Sequence, residues 1–135
     1  MSILVAYKAS TSGRLLLQEA AGEAGLRQTP LTVVHVSEAV DLDIVKAEEE
    51  RLRAEIAGLL QEFGSDDVAW RLDVTTGSDV AQDVLDRAAE IDVELVVVGA
   101  RHRTPVGKLI MGSVTQTVLL HTEKPVLVVK TPGPT

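Results

Sequence analysis

Short apolar runs, each followed by a polar break and a stretch of helical length, most constrain what this chain can fold into. Ile3 to Tyr7 is apolar on both faces, and so is Val93 to Val98. A strand with no polar face must be covered on both sides, which places it inside a parallel sheet. Leu31 to Val36 reads as another strand and Val126 to Val129 as the last. Val68 to Thr75 alternates instead, with Val68, Trp70, Leu72 and Val74 on one side, as a half-exposed strand near a sheet edge does. Helical periodicity fills the intervals. Leu15, Leu16, Ala20 and Ala24 follow Ser12, which is expected to cap that helix. Val45, Leu52, Ile56, Leu59, Leu60 and Phe63 share one face between Asp43 and Phe63. Val80, Val84, Leu85, Ala88 and Ile91 form the expected buried stripe after Gly77-Ser78-Asp79, and Val114 to His121 is the fourth helix. Strict alternation of strand and helix predicts a three-layer α/β domain, a five-stranded open parallel sheet with helices on both faces.

Composition agrees with that prediction. The chain has 135 residues, 45% of them hydrophobic but only 2% aromatic, so the core must be built from Val, Leu, Ile and Ala. So few aromatics leave no stacking surface for single-stranded nucleic acid. A net charge of −7 argues against nucleic-acid partners and anionic membrane surfaces. Without Cys there is no disulfide, thiolate chemistry or Cys-ligated metal, which fits a cytoplasmic location. The start, Met1-Ser2-Ile3-Leu4-Val5, lacks the features of a signal peptide, and no apolar run approaches the roughly 20 residues of a membrane span. The expected domain spans residues 1–130, and Thr131 to Thr135 is expected to be a flexible tail.

In a parallel sheet of this kind, ligands bind beyond the carboxyl ends of the strands where the strand order reverses. If the first and fourth strands are central neighbours, that point lies between Lys8-Ala9-Ser10 and the loop after Gly99. The loop read from Ala100 to Lys108 is basic, with Arg101, Arg103 and Lys108, and it leads to Gly112-Ser113 at a helix start. Backbone freedom at Gly, fixed cations and a helix N-terminus are the parts of an anion site. Taken singly, each part has a plainer reading. Gly99 ends a strand, Ser113 caps a helix, the three cations are a solvated loop, and His102 is an exposed loop residue. His35 reads as structural, His121 as a helix-end residue, and Glu48-Glu49-Glu50 as a helix face rather than a metal site. Gly107-Lys108 is not a Walker A motif, because Leu109 stands where Ser or Thr is required.

Gly99, followed after residues 103–111 by Gly112-Ser113, resembles the strand–loop–helix motif of the universal stress protein family. Met111-Gly112-Ser113-Val114-Thr115, Lys124-Pro125-Val126-Leu127-Val128-Val129 and His35-Val36 are similar to that family's helix entry, last strand and second strand end. The resemblance covers the whole chain. It implies a flavodoxin-like strand order, 3-2-1-4-5, and a site for ATP or a related adenine nucleotide, with Mg²⁺ able to accompany it. Carried over residue by residue, the phosphate positions are Gly99, Gly112, Ser113, Val114 and Thr115, with Arg101 and His102 in the same loop. The adenosine positions are Ala6, Tyr7, Lys8 and Val36. The resemblance also implies a homodimer that pairs through the last strand, at Val126, Leu127, Val128 and Val129.

Two positions depart from the family pattern. Lys8 stands where ATP-binding members carry Asp, exchanging an acceptor for a cation that only donates. His102 stands where the motif has Gly, adding bulk and resisting positive φ. Two functions therefore stay open: a regulatory nucleotide-binding module with at most slow ATP hydrolysis, or a nucleotide-free dimeric interaction protein. A receiver domain would need clustered acids after the first strand. An adenine-nucleotide hydrolase would need a Ser-Gly-Gly-x-Asp-Ser loop there. Lys8-Ala9-Ser10 supplies neither.

Overall fold

The computed structural model describes residues 1–103 and 108–132, and the side chains of these outside 102–109. Five long strands form a parallel sheet: β1 (Ser2–Ala6), β2 (Leu31–Ser37), β3 (Trp70–Thr76), β4 (Val93–Arg103) and, last in the chain, β6 (Val126–Thr131). Their spatial order is β3-β2-β1-β4-β6, the 3-2-1-4-5 arrangement once a short extra strand, β5 (Lys108–Ile110), is set aside. The helices are α1 (Thr11–Arg27), α2 (Leu42–Glu62), α3 (Val80–Glu90) and α4 (Ser113–His121).

Strand alternation divides the core into two layers. Ile3, Val5, Leu95 and Val97 face α1 and α2, meeting Leu17, Ala20, Ala21 and Ala24 of α1 and Leu52, Ile56 and Leu60 of α2. Leu4, Val34, Val96 and Val98 face the other way, onto Val84 and Ala88 of α3 and Val118 of α4. Ile3 opposite Leu95 and Val5 opposite Val97 set the β1–β4 register. The small Ala side chains of α1 let that helix approach the sheet closely, which suits a core almost without aromatic rings.

Several elements differ from expectation, and most of the differences lie at the site end. The α1 cap is Ser10, whose Oγ accepts from the Gly13 amide at 2.9 Å, not Ser12. The α3 stripe is Ala81, Val84 and Ala88; Val80 is 37% exposed. The strand does not stop at Gly99, which keeps negative φ and pairs with Val129. β4 continues to Arg103, so residues 100–103 of the expected loop are strand and 104–107 lie outside the described residues. β1 pairs β4 only as far as Val97, which leaves the edge beyond free. β5 returns antiparallel onto it, with Arg101 opposite Ile110 and His102 opposite Leu109. Arg101 also pairs Thr131 on its other edge, so β5 lies on the β1 side of β4, beyond the end of β1. β6 reaches Thr131, which is buried and donates to the Ala100 carbonyl at 3.3 Å. The strand thus runs one residue into the expected tail; residues 133–135 lie outside the described residues.

Candidate functional site

β1 ends at Ala6 and the chain turns at once into α1. The turn is tied at three points: Ser10 Oγ donates to the Lys8 carbonyl at 3.2 Å, the Gly13 amide donates to Ser10 Oγ, and the Arg14 amide donates to the Ser10 carbonyl at 3.0 Å. A Cβ on Gly13 would overlap the Lys8 carbonyl oxygen. Only glycine therefore lets this carbonyl sit over the first turn of α1, and the close turn leaves the Lys8 side chain exposed at the end of β1.

On the far side of the switch point, Gly112 and not Ser113 is the N-cap of α4, and no side chain closes the cap. The first amides of α4 have no intrahelical carbonyl to bond and point out of the helix end, with the positive end of the dipole. Ser113, in the first turn, is exposed, and space is open around Gly112. Thr115 is committed elsewhere, since its hydroxyl donates to the Gly99 carbonyl at 2.7 Å. That bond ties α4 to β4. Gly99 is closely packed, since a Cβ there would stand 3.3 Å from Leu16 Cδ1.

Two cavities open between these elements. The larger, about 540 Å³, is bordered by Lys8, Ser10, Gly13, Arg101, Ile110 and Ser113, together with Ala6, Gly99, Gly112, Val114 and Thr115. The smaller, about 330 Å³, lies over the ends of β1 and β2 and is bordered by Ala6, Tyr7, Lys8, His35, Val36 and Glu48. Ala6, Lys8 and Val80 border both, so the two cavities lie side by side along one crevice at the switch point. Every expected phosphate position with a described side chain thus meets at the larger cavity, and every expected adenosine position at the smaller. The side chain of His102 lies outside the described residues.

Electrostatics separate the two ends. Lys8 and Arg101 border the larger cavity, and no carboxylate does among the described residues. Neither cation is ion-paired among them. The smaller cavity has a fixed polar wall. His35 Nδ1 donates to the Tyr7 carbonyl at 2.9 Å, and His35 Nε2 lies 2.5 Å from Glu48 Oε1. Ser37 Oγ donates to Glu48 Oε2 at 2.8 Å and accepts from the Ala39 amide at 3.1 Å. Hydrogen bonds from His35 and then Ser37 hold the Glu48 carboxyl below the usual carboxylate range. Tyr7 offers the cavity its backbone more than its ring, which packs in the α1–α2 core layer. Burial, aided by nearby Glu55, pushes its hydroxyl up to about 12.

Sequence reasoning missed three features of this site. Glu48 belongs to the cavity wall, not to a solvated acidic face as Glu50 does. Its signal was present: His35 and Ser37 are polar residues two apart at the end of an otherwise apolar strand, and α2 returns over them. Gly13 is a second, although a Gly two to three residues after candidate caps hints at a close approach. Val80 was assigned to the core and instead forms the shared rim.

An open parallel α/β sheet, with a crevice at its switch point between a strand end and a helix N-terminus, places this chain among the doubly wound α/β domains. The chain belongs to the universal stress protein family, whose sequence model matches residues 1–130. It is 36% identical over 134 residues to a universal stress protein of Mycolicibacterium smegmatis, covering 97% of this chain and 98% of that protein. A universal stress protein structure from Archaeoglobus fulgidus is 33% identical, covers 96% of this chain and 98% of its own, and superposes with a TM-score of 0.74. A second, from the same organism and solved in complex with dAMP, is 28% identical with a TM-score of 0.70, at 96% and 98% coverage. A universal stress protein solved in complex with cAMP, 18% identical and covering 96% of both chains, shares the fold at a TM-score of 0.74.

Proposed function

We propose that this protein is a small regulatory module that binds ATP or a related adenine nucleotide in the switch-point crevice. The observation that carries the reading is the adjacency of the two cavities. One is apolar-floored and sized for a base; the other ends on an uncapped helix N-terminus flanked by cations that have no ion pair among the described residues. The dAMP complex of a 28% identical relative supports an adenine nucleotide. In this reading Ala6, Tyr7, Lys8 and Val36 border the adenosine, and Gly99, Arg101, Gly112, Ser113, Val114 and Thr115 border the phosphates, with His102 on the adjoining backbone. The described lining of the larger cavity holds no carboxylate to ligate Mg²⁺, so a Mg²⁺ arriving with ATP is held by the nucleotide's own phosphates. The same lining offers no general base aimed at an attacking water, which favours binding and release over turnover.

Isothermal titration of the full chain with ATP, ADP, AMP and cAMP tests the proposal. Saturable binding of at least one ligand in the micromolar range is expected. No binding at millimolar ligand would leave the second reading, an interaction protein without a nucleotide. Lys8 in place of the family's Asp favours that alternative. Both readings include a homodimer. β6 is the sheet edge beyond β4, and Val126, Leu127, Val128 and Val129 are only partly buried along it. An apolar edge of this kind is closed by pairing with a second copy about a two-fold axis. Sedimentation at micromolar concentration is expected to give a dimer mass, and a monomer would remove the dimer from the proposal.

A further inference from the structure

We propose that Lys8 makes the crevice selective for adenine nucleotides whose ribose carries, besides the 5′-phosphate, a separate phosphate monoester on a secondary hydroxyl. The inference rests on the nucleotide reading above and refines it. Lys8 is exposed at the end of β1 and borders both cavities. A nucleotide with its base in the smaller cavity and its 5′-phosphate at the α4 N-terminus must cross from one to the other beside Lys8. The part of the molecule that makes that crossing is the ribose.

The chemistry of the side chain then decides what the ribose should carry. A free ribose diol is best read by a carboxylate, which accepts from both hydroxyls. An ammonium has three donors and no acceptor, and it gains most from an anion. Dinucleotide sites show the same division, an acid for the free 2′-hydroxyl and a cation for a 2′-phosphate. No carboxylate neutralises Lys8 among the described residues. Of the two acids that border the smaller cavity, Glu48 is bonded to His35 and Ser37, and Glu38 is exposed at the rim beyond β2. The ammonium is therefore free to meet a ribose phosphate in a crevice whose phosphate end is already electropositive.

Titration calorimetry with 5′-AMP, ADP, adenosine 3′,5′-bisphosphate and adenosine 2′,5′-bisphosphate tests this on the full chain, on Lys8→Ala and on Lys8→Asp. ADP adds charge on the 5′ side alone and so controls for charge in general. The wild type is expected to bind one bisphosphate about tenfold more tightly than 5′-AMP, and more tightly than ADP. Whether the 3′ or the 2′ ester gains shows which hydroxyl lies over Lys8. Lys8→Ala is expected to lose the advantage and Lys8→Asp to invert it. The advantage is expected to shrink as salt is raised, since Lys8 is exposed. Bisphosphates that bind no better than ADP, or an advantage that survives Lys8→Ala, would overturn the assignment while leaving nucleotide binding intact. Failure of all four ligands to bind at millimolar concentration would defeat the nucleotide reading itself. Thermal melts of the two variants within a few degrees of wild type would show that the fold is unchanged.

Discussion

Gly13→Ala tests the construction of the site at its tightest point. In a helix, exchanging Gly for Ala ordinarily gains about 1 kcal/mol, because Ala loses less backbone entropy on folding. At position 13 the new Cβ would overlap the Lys8 carbonyl oxygen and stand 3.1 Å from the Lys8 carbonyl carbon and 3.2 Å from Ser10 Oγ. Relief requires the end of β1 and the first turn of α1 to part by about an ångström, since carbon contacts are comfortable only near 3.5–4.0 Å. That movement strains three hydrogen bonds: Gly13 amide to Ser10 Oγ, Ser10 Oγ to the Lys8 carbonyl, and Arg14 amide to the Ser10 carbonyl. Overpacking costs about 1–3 kcal/mol, and an overlap with a backbone carbonyl lies at the top of that range, so a net loss of about 2 kcal/mol is expected after the propensity gain is counted. For a domain of this size the melting temperature should fall by roughly 5–10 °C. Gly22→Ala in α1 and Gly58→Ala in α2 are the controls, because a Cβ at either meets nothing within 4 Å. Each should gain about 0.5–1 kcal/mol and melt slightly higher. Urea unfolding of the three variants side by side decides the matter. A Gly13→Ala protein as stable as wild type would refute the claim that glycine is needed to bring Lys8 over α1.

Two further predictions concern the crevice walls. Glu48→Gln removes a carboxylate that accepts from His35 and Ser37 and should destabilise the protein by about 1–2 kcal/mol at pH 7. Because the folded-state carboxyl is held low, its contribution is present above the ordinary Glu range and is lost as pH falls through the folded-state value. The gap between wild-type and variant melting temperatures should therefore close below about pH 4, and a gap constant from pH 3 to 7 would contradict it. Val80→Trp places a large ring at the rim shared by both cavities, on a residue that is 37% exposed. Nucleotide affinity should fall by about tenfold or more while the melting temperature stays within a few degrees, measured by calorimetry and thermal denaturation.

What the sequence determined by itself was the layered architecture. Runs such as Ile3–Tyr7 and Val93–Val98 have no polar face, and covering them on both sides leaves few arrangements other than a parallel sheet between helices. The spacing from Gly99 to Gly112-Ser113, read through the family resemblance, pointed to the switch-point crevice as the candidate site, because switch-point topology follows from strand order. Tertiary structure decided what each residue does there. Gly99 looked like a strand end, yet β4 runs through it, because the pairing partners on its edges, β5 and β6, come from later in the chain. Ser10 rather than Ser12 caps α1, a choice set by where β1 releases the chain. Glu48 turned inward because His35 and Ser37 on β2 lie beneath α2, a contact no local periodicity encodes. Val80 left the core for the rim because α3 begins there and its buried face starts one residue later, at Ala81. Hydrophobic periodicity is a local property and fixes which elements form. Caps, edge pairings and polar walls depend on which element arrives alongside, and only the folded chain brings those together.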